Sequence, residues 1–531
     1  MVDPGRDGAM ARPYPDERLL VALIRTRSCP ARTMTPIGEP MPSHSALTDL
    51  VIGITPFHLP DAGLVEALCR AGAVGVLDLG AGDRRSREEL ARLRERAPAG
   101  FGVRLAPGCR LTPQELRSAD GVGPRLVVLA VGTPRREIEA LREEYRVLAE
   151  VTDLAQASAA VRAGAHGLVA RGCESGGRVG ELSTFVLLQQ LLADTGTGTP
   201  VWACGGIGPR TALAAVAGGA AGVVLDSQLA LLAESAVPEE IAAAVRGLDG
   251  SETVVLDGRR VLRRGRPDAA PQAELVIGQD GFLAAGFAER WGTVGRTVRA
   301  LREAVLDGLR TAAAPGAAAD LLGPGARLAE ALGTRLPVVQ GPMTRVSDQP
   351  GFAAAVAAAG ALPCLALALS GAEQTRALLA DTAAAVGCPG AWACWASPRR
   401  RCAARSWRRC WPPDPATRSS RAGVRRRRGC WRRPASAPSC TSPPGLLKQF
   451  LEDGARRFVF EGSECGGHVG PRHSFPLWEA QLAVLEEYLD ANPGAVGLEV
   501  LFAGGVHDAR SAAMVAAMAA PLAARGSPPG R

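Results

Sequence analysis

Between residues 51 and 250, short runs of β-branched and aliphatic residues alternate with longer stretches rich in Ala, Leu, Glu and Arg. The short runs fall at 51–55, 74–79, 101–105, 126–131, 146–151, 167–170, 201–203 and 222–225. Near-continuous apolar runs of this length suit strands buried on both faces. The stretches between most of them have helical composition. Strands alternating with helices predict a parallel sheet covered by helices. Eight such units predict a closed α/β barrel of the TIM, or (β/α)8, type. Gly176-Gly177 and Gly205-Gly206 then fall at strand ends on one rim.

Past the barrel, a hairpin is predicted at 254–256 and 260–262, joined through Asp257-Gly258. Helical spacing covers 280–312, and a Gly/Ala/Pro-rich joint follows at 313–325. The uncharged stretch 349–372 is long enough for a membrane span. Gly360 and Pro363 interrupt it, so it reads as helix, turn and buried strand, and no membrane partner is expected.

The pattern then repeats. Glu464-Cys465-Gly466-Gly467-His468-Val469-Gly470 echoes Glu174-Ser175-Gly176-Gly177-Arg178-Val179-Gly180. Gly454-Ala455 answers Gly164-Ala165, Phe475 answers Phe185, and Gly504-Gly505 answers Gly205-Gly206. A repeat this long predicts two related domains. The second begins near Arg327, with its first strand at 337–340. One difference inside the motif bears on chemistry: His468 stands where the first copy has Arg178. An imidazole shuttles protons near neutral pH and a guanidinium does not. The two copies are therefore expected to share a fold and not a role.

Between 388 and 443 the repeat pattern fails. This segment has 14 arginines, six cysteines, five tryptophans and eight prolines, with one acid, Asp414, and one aliphatic β-former, Val424. Its net charge of +13 exceeds the +8 of the whole chain, so the basic balance comes from this segment and not from a basic surface. A nucleic-acid-binding tail, a charged linker and an out-of-frame stretch of a GC-rich gene each give such a composition. Abrupt edges, and a position where the first copy has its third to fifth strands, favour the out-of-frame reading. No nucleic-acid partner is expected, and the segment should hold no packed core.

The resulting layout has a disordered leader at 1–50, a first barrel at 51–250, and a hairpin, helices and linker at 251–325. A second barrel starts at 326–387, is interrupted at 388–443 and resumes, truncated, at 444–526. It is expected to be incomplete, because a barrel cannot omit interior strands without leaving unpaired edges. The 13 cysteines form no C-x-x-C pair, which argues against a zinc or disulfide framework, and no metal is expected. The apolar run at 19–24 is too short for a signal peptide, so a cytoplasmic location is expected.

Leu332-Gly333-Thr334-Arg335-Leu336-Pro337-Val338-Val339-Gln340-Gly341-Pro342-Met343 resembles the opening strand of nitronate monooxygenases, formerly called 2-nitropropane dioxygenases. The 464–470 motif resembles the E-x-G-G-H-x-G signature of that group, which includes FMN-dependent enoyl reductases. Gly504-Gly505-Val506 resembles its flavin-phosphate loop. The tandem arrangement, with LSTFVLLQQ at 182–190, resembles the flavin-barrel region at the start of certain large bacterial type I polyketide synthases.

The resemblance implies FMN as cofactor, and either nitronate oxidation or enoyl-thioester reduction. It implies a small-molecule or acyl-thioester substrate, with other synthase domains as partners. It places Gln340, Gly341 and Met343 at the flavin ring and Glu464, Gly466 and Gly467 in the signature loop. His468 would be the general acid or base. Gly504 and Gly505 would meet the phosphate, with Gly205 and Gly206 as their first-copy counterparts. His473 and His507 read as loop residues and Cys465 as packing.

The first copy departs from the family at these points. Ile54-Thr55-Pro56-Phe57 replaces Gln340-Gly341-Pro342-Met343, Arg178 replaces the histidine, and Asp226-Ser227 stands where the family has Gly-Thr. An aspartate there repels a phosphate. The competing reading is a catalytically degenerate barrel that docks synthase domains.

Overall fold

The structure, a computed structural model, describes residues 49–96, 100–116, 123–193, 198–263, 275–367, 369–386, 393–395, 444–466, 469–495 and 497–525. The eight expected runs are strands: β1 (Val51–Ile54), β2 (Val74–Asp78), β3 (Gly102–Leu105), β4 (Leu126–Leu129), β5 (Arg146–Val151), β6 (Gly167–Arg171), β8 (Val201–Cys204) and β9 (Gly222–Leu225). They pair in parallel in that order. The barrel closes where β1 meets both β2, with Ile52 opposite Val74, and β9, with Val51 opposite Val223.

Helices follow the strands in the order α1 (Ala62–Arg70), α2 (Arg84–Arg96), α3 (Pro113–Leu116), α4 (Arg135–Leu141), α5 (Leu154–Arg162), α6 (Thr184–Ala193), α7 (Pro209–Ala217) and α8 (Glu239–Arg246). Asp61 and Asp153 start two of them by accepting from Leu64 N and Gln156 N, which satisfies amides that have no partner within the helix.

Alternation along each strand divides the side chains into two sets. Val51, Leu77, Val103, Val127, Val147, Leu168, Ala203 and Val223 face the helices and join the main core. Ile52, Ile54, Val74, Val76, Leu126, Val128, Leu148, Val169, Trp202, Cys204 and Val224 form a separate core inside the barrel. The barrel starts slightly earlier than expected. Trp202 Nε1 donates to Asp49 O at 2.7 Å, and Asp49 also pairs with Arg146. The rest of the 1–50 leader lies outside the described residues.

A short strand, β7 (Gly177–Arg178), joins the predicted hairpin, β10 (Thr253–Leu256) and β11 (Arg259–Leu262), in a three-stranded sheet. After it come α9 (Leu283–Arg290) and α10 (Val294–Ala312). Val294, Val298, Leu301 and Val305 form one buried stripe along α10, which packs against α1 and α7 and so completes the helical ring. The joint at 313–325 is not structureless: it holds α11 (Ala317–Leu322).

The described part of the second repeat does not close into a barrel. Its helices are α12 (Arg327–Leu332), α13 (Pro350–Ala358), α14 (Ala372–Val386), α15 (Pro444–Glu452), α16 (Ser474–Ala491) and α17 (Ala509–Arg525). Its strands form two parallel pairs, β12 (Cys364–Ala366) with β13 (Ala393–Trp395), and β14 (Arg457–Glu461) with β15 (Glu499–Ala503). The strand expected at 337–340 is reduced to one bridge, Val339 to Leu362. β13 carries regular structure a few residues past 388, by backbone pairing that needs no particular side chains; 396–443 lie outside the described residues. The stretch 349–372 is α13, a turn at Gly360 and β12, and among the described residues no helix is long and apolar enough to cross a membrane.

The two repeats pack through matching helices. Phe185 at the start of α6 meets Phe475 and Trp478 of α16, with ring centroids 5.4 and 5.1 Å apart. α17 lies along α7, and Arg510 Nη1 donates to Gly218 O at 2.6 Å.

Candidate active site

In a TIM barrel, chemistry gathers where inward-facing residues reach the C-terminal ends of the strands. In the first barrel those positions are charged. The last inward positions of β2, β3, β5 and β6 are Asp78, Arg104, Glu150 and Arg171, and Asp226 follows β9. Arg104 holds Glu150 with Nε and Nη2 at 2.7 and 2.9 Å and reaches Asp78 with Nη1 at 2.8 Å. Arg171 Nη1 lies 3.4 Å from Glu150, and its Nη2 lies 3.4 Å from Asp226 and donates to Gly176 O. His58 Nδ1 lies 2.7 Å from Asp78 Oδ2. Phe57 and His58 both have positive φ, 60° and 57°, an uncommon conformation for side-chain-bearing residues that swings His58 over the mouth.

Burial works against Asp78, Arg104, Glu150 and Arg171, and pairing wins. Arg104 and His58 hold the Asp78 carboxyl well below the usual carboxylate range despite its burial, and Arg104 and Arg171 do the same for Glu150. Arg104 and Arg171 are held above the usual guanidinium value by the same carboxylates, again against burial. Such a layer is a closed ion network.

A flavin does not fit there. The cavity left among Ile54, Thr55, His58, Asp78, Arg104 and Arg171 has a volume of about 20 Å³. That is room for about one water, whereas small-molecule sites run to roughly 300 Å³ or more. Arg178, at the motif position of His468, is exposed in β7 and paired through its backbone with Arg259. A larger cavity of about 630 Å³ lies on the flank between α1 and α10, lined by Arg70, Glu234, Arg299 and Glu303, and no residue singled out from the sequence lines it.

The signature glutamates serve the same local purpose in both copies. Glu174 accepts from Thr184 N through both oxygens at 3.1 Å, and Glu464 accepts from Ser474 N at 2.9 and 3.2 Å and from Ser474 Oγ at 2.8 Å. Each carboxylate sits at the start of the following helix, where unpaired amides favour an anion. Their environments differ. Complete burial, reinforced by the charge of Glu464, pushes the Glu174 carboxyl up to about 7.

The glycine pairs also carry a packing load. Gly205 and Gly206 have φ of 116° and 68°, and Gly504 and Gly505 repeat this with 117° and 73°. A Cβ on Gly206 would lie 2.7 Å from Pro476 Cδ, and one on Gly505 would lie 2.9 Å from Val186 Cγ2. Each repeat's second glycine thus lies under the first turn of the other repeat's helix.

In the second repeat the expected ring-side residues lie together but open. Gln340 N donates to Leu362 O at 2.9 Å and Gln340 Oε1 accepts from Cys364 N at 3.0 Å, so this residue ties 337–340 to the start of β12. Among the described residues, no atom lies within 4 Å of a Cβ added to Gly341 or Gly466, and Met343 is 42% exposed. Gly467 and His468 lie outside the described residues. Cys465 is partly buried with its thiol pushed up to about 12 by burial, which fits packing. His507 is exposed; its backbone N–H donates to Ser511 Oγ.

His473 is not the plain loop residue expected. It sits between the repeats, with Nε2 3.2 Å from Cys173 Sγ and Nδ1 2.6 Å from Ser463 Oγ. Burial holds its imidazole below the usual value, against the opposing charge of Glu464. Among the described residues no cluster could hold a metal ion.

Residues 59–257 match a family described as nitronate monooxygenase. The (3aS,4S,5R,7aS)-5-hydroxy-7a-methyl-1-oxo-octahydro-1H-indene-4-carboxyl-CoA dehydrogenase of Mycobacterium tuberculosis (strain ATCC 25618 / H37Rv) is 31% identical over 265 residues, 47% of this chain and 71% of that protein. Among solved structures, FabK from Thermotoga maritima aligns with a TM-score of 0.44 at 22% identity, covering 50% of this chain and 96% of that one. Nitroalkane oxidase from Streptomyces ansochromogenes aligns with a TM-score of 0.41 at 24% identity, covering 50% and 99%.

Proposed function

Because the chain belongs to the nitronate monooxygenase family, we propose that it is an oxidoreductase chain whose FMN site is carried by the second repeat. The first barrel is its fixed, non-catalytic partner. The observation that carries this reading is the contrast between the two copies. Paired charges fill the first mouth down to about 20 Å³, while Gly341 and Gly466 face open space in the second.

Bound FMN would supply the electron-accepting or hydride-donating ring. The chain's own residues supply the rest. Gln340 offers a side-chain amide beside that ring, and Gly341 and Gly466 permit close backbone approach. Gly504 and Gly505 turn the backbone after β15, and His468 holds or delivers a proton at its imidazole. An acyl thioester is the favoured substrate class over a nitronate, because the 31%-identical relative is named a carboxyl-CoA dehydrogenase. A polyketide or fatty-acid synthase would supply such thioesters, and the tandem arrangement is of the kind that would work beside its domains.

The test is FMN titration of the purified full chain, followed by flavin absorbance. Gly466→Asp adds a charged side chain where no described residue lies within 4 Å, so the fold should tolerate it. Binding should be lost in Gly466→Asp and retained in Arg104→Met. Stoichiometric FMN that survives Gly466→Asp would place the site in the first barrel and sink the proposal.

A further inference from the structure

The mouth of the first barrel holds a piece of the chain itself. Residues 278–280 lie across both glycine loops. Gln279 N donates to Glu174 O at 2.7 Å, and a Cβ on Gly278 would lie 2.5 Å from that oxygen and 2.8 Å from Gly176 N. Asp280 is buried, and its Oδ2 accepts from Gly206 N at 3.0 Å and from Gln228 Nε2 at 3.2 Å. Gln228 is itself fixed: its Nε2 also reaches Ile207 O at 3.1 Å, and its Oε1 accepts from Asp226 N at 2.9 Å. The loops after β8 and β9 therefore converge two donors on a single carboxylate oxygen. Two such loops would grip one oxygen of a phosphoryl group in the same way.

Gln279 faces the other repeat. Its Nε2 donates to Pro471 O at 2.6 Å, and its Oε1 accepts from His473 N at 2.9 Å. Pro471 and His473 lie just beyond the second signature and lead into α16. Neighbouring residues of one short segment thus engage the glycine loop of one repeat and the post-signature loop of the other. Arg472, between those two residues, adds a third tie: its Nε donates to Asp249 O at 2.7 Å.

We propose that residues 278–280 are a built-in occupant of the socket between the loops after β8 and β9 of the first barrel and, at once, a clamp between the repeats. Asp280 fills the place of a phosphoryl group, and Gln279 sets the position of residues 471–473. The proposal shares with the functional reading only the premise that the first barrel holds no flavin. It has two consequences. The socket excludes a phosphate monoester as long as Asp280 is seated. The loop after the second signature takes its register from the first barrel.

Amide hydrogen exchange on the full chain tests this. Asp280→Ala removes the shared acceptor, so amides in 205–207 and 276–281 should exchange about tenfold faster, the scale of one or two lost hydrogen bonds. Asp280→Asn keeps an oxygen for both donors and should leave them near wild-type protection. Gln279→Ala should speed exchange in 471–474 by about tenfold while leaving 205–207 unchanged. Unchanged protection at 205–207 in Asp280→Ala would overturn the proposal. If Asp280→Ala does not fold, Gln279→Ala decides: equal loosening on both sides would mean undivided packing and not a two-sided clamp. An excess of inorganic phosphate should leave the wild-type melting point where chloride of equal ionic strength leaves it. A phosphate-specific rise abolished by Gln228→Ala would mean the socket is open, and would also overturn the proposal. FMN in the first barrel would sink both readings; no FMN on the full chain would sink the functional reading alone, and unaltered exchange would sink this one alone.

Discussion

Replacing Glu174 by glutamine should stabilise the protein progressively as pH rises from about 4.5 to about 7. In the folded chain the Glu174 carboxyl keeps its proton up to about 7, against an ordinary 4.5, because it is completely buried and faces the charge of Glu464. The unfolded chain gives that proton up near 4.5. Between these values the native state binds the extra proton, so native stability falls as pH rises and is level again above about 7. The gap corresponds to about 3 kcal/mol. Glutamine has no proton to lose and keeps a carbonyl oxygen for Thr184 N.

The other titratable groups around Glu174 are Cys173 beside it, Arg260 of β11, Asp280 of the clamp, and Glu464 and His473 of the second repeat. Two of them have slopes of their own. Asp280 is pushed well up by burial and by Asp226, so it too loses stability as pH rises. His473 is pushed down by burial, so it gains stability as pH rises toward its ordinary value. Subtracting wild type from Glu174→Gln at each pH removes the slope of His473 and leaves from that of Asp280 only the part that the charge of Glu174 itself contributes. The assay is thermal melting of the two proteins from pH 4.5 to 8.5. At roughly 1 °C per kcal/mol for a cooperative unit of this size, the gap between midpoints should open by roughly 3 °C in favour of the variant. A gap that stays constant across the range, or closes as pH rises, would refute the reasoning.

Arg104→Met should destabilise by about 3–5 kcal/mol at neutral pH, because it leaves Glu150 and Asp78 buried without their main partner. The loss should shrink toward pH 4 as those carboxyls protonate; denaturant titration at both pH values measures it, and a loss under about 1 kcal/mol would contradict the network's role. Glu479→Ala should loosen the seam between the repeats, since Glu479 accepts from Arg210 N and Thr211 N at 3.0 and 2.9 Å and pairs with Arg210 Nη1 at 2.6 Å. A cost of about 3 kcal/mol and a separate early transition for the second repeat are expected in denaturant unfolding, and one unshifted transition would count against it.

The eight barrel strands were legible because each is a short apolar run followed by a helical stretch, and every one lies within two residues of its expected place. The charged layer was legible in principle. In Val74–Asp78, Gly102–Leu105, Arg146–Val151 and Gly167–Arg171 the charge sits at the inward parity nearest the C-terminal end. Counting alternate positions inward from the apolar ones would have found Asp78, Arg104, Glu150 and Arg171. The clamp left no such trace. Asp280 meets Gly206 across 74 positions and Gln279 meets His473 across 194, and no local spacing encodes either contact. The glutamates of the two signatures could be placed as helix-start acceptors only once α6 and α16 were seen to begin ten residues later.

The Gly205-Gly206 pair has structural reasons of its own, apart from any ligand. The mouth beside them has about 20 Å³ free, too little for a flavin ring. Geometry supplies two such reasons. Both have φ in the left-handed region, which an L side chain enters only with strain. Gly206 also lies beneath Phe475 and Pro476 as Gly505 lies beneath Phe185 and Val186, so a methyl group on either would drive the two helices apart. Phe185-Val186 and Phe475-Pro476 are themselves matching positions of the repeat. The seam is therefore built from one surface used twice, the self-complementary arrangement of a two-fold pair. A loop shape suited to a phosphate is also suited to a close helix contact. Once a second copy of the domain lies against the first, the contact is enough to keep both glycines.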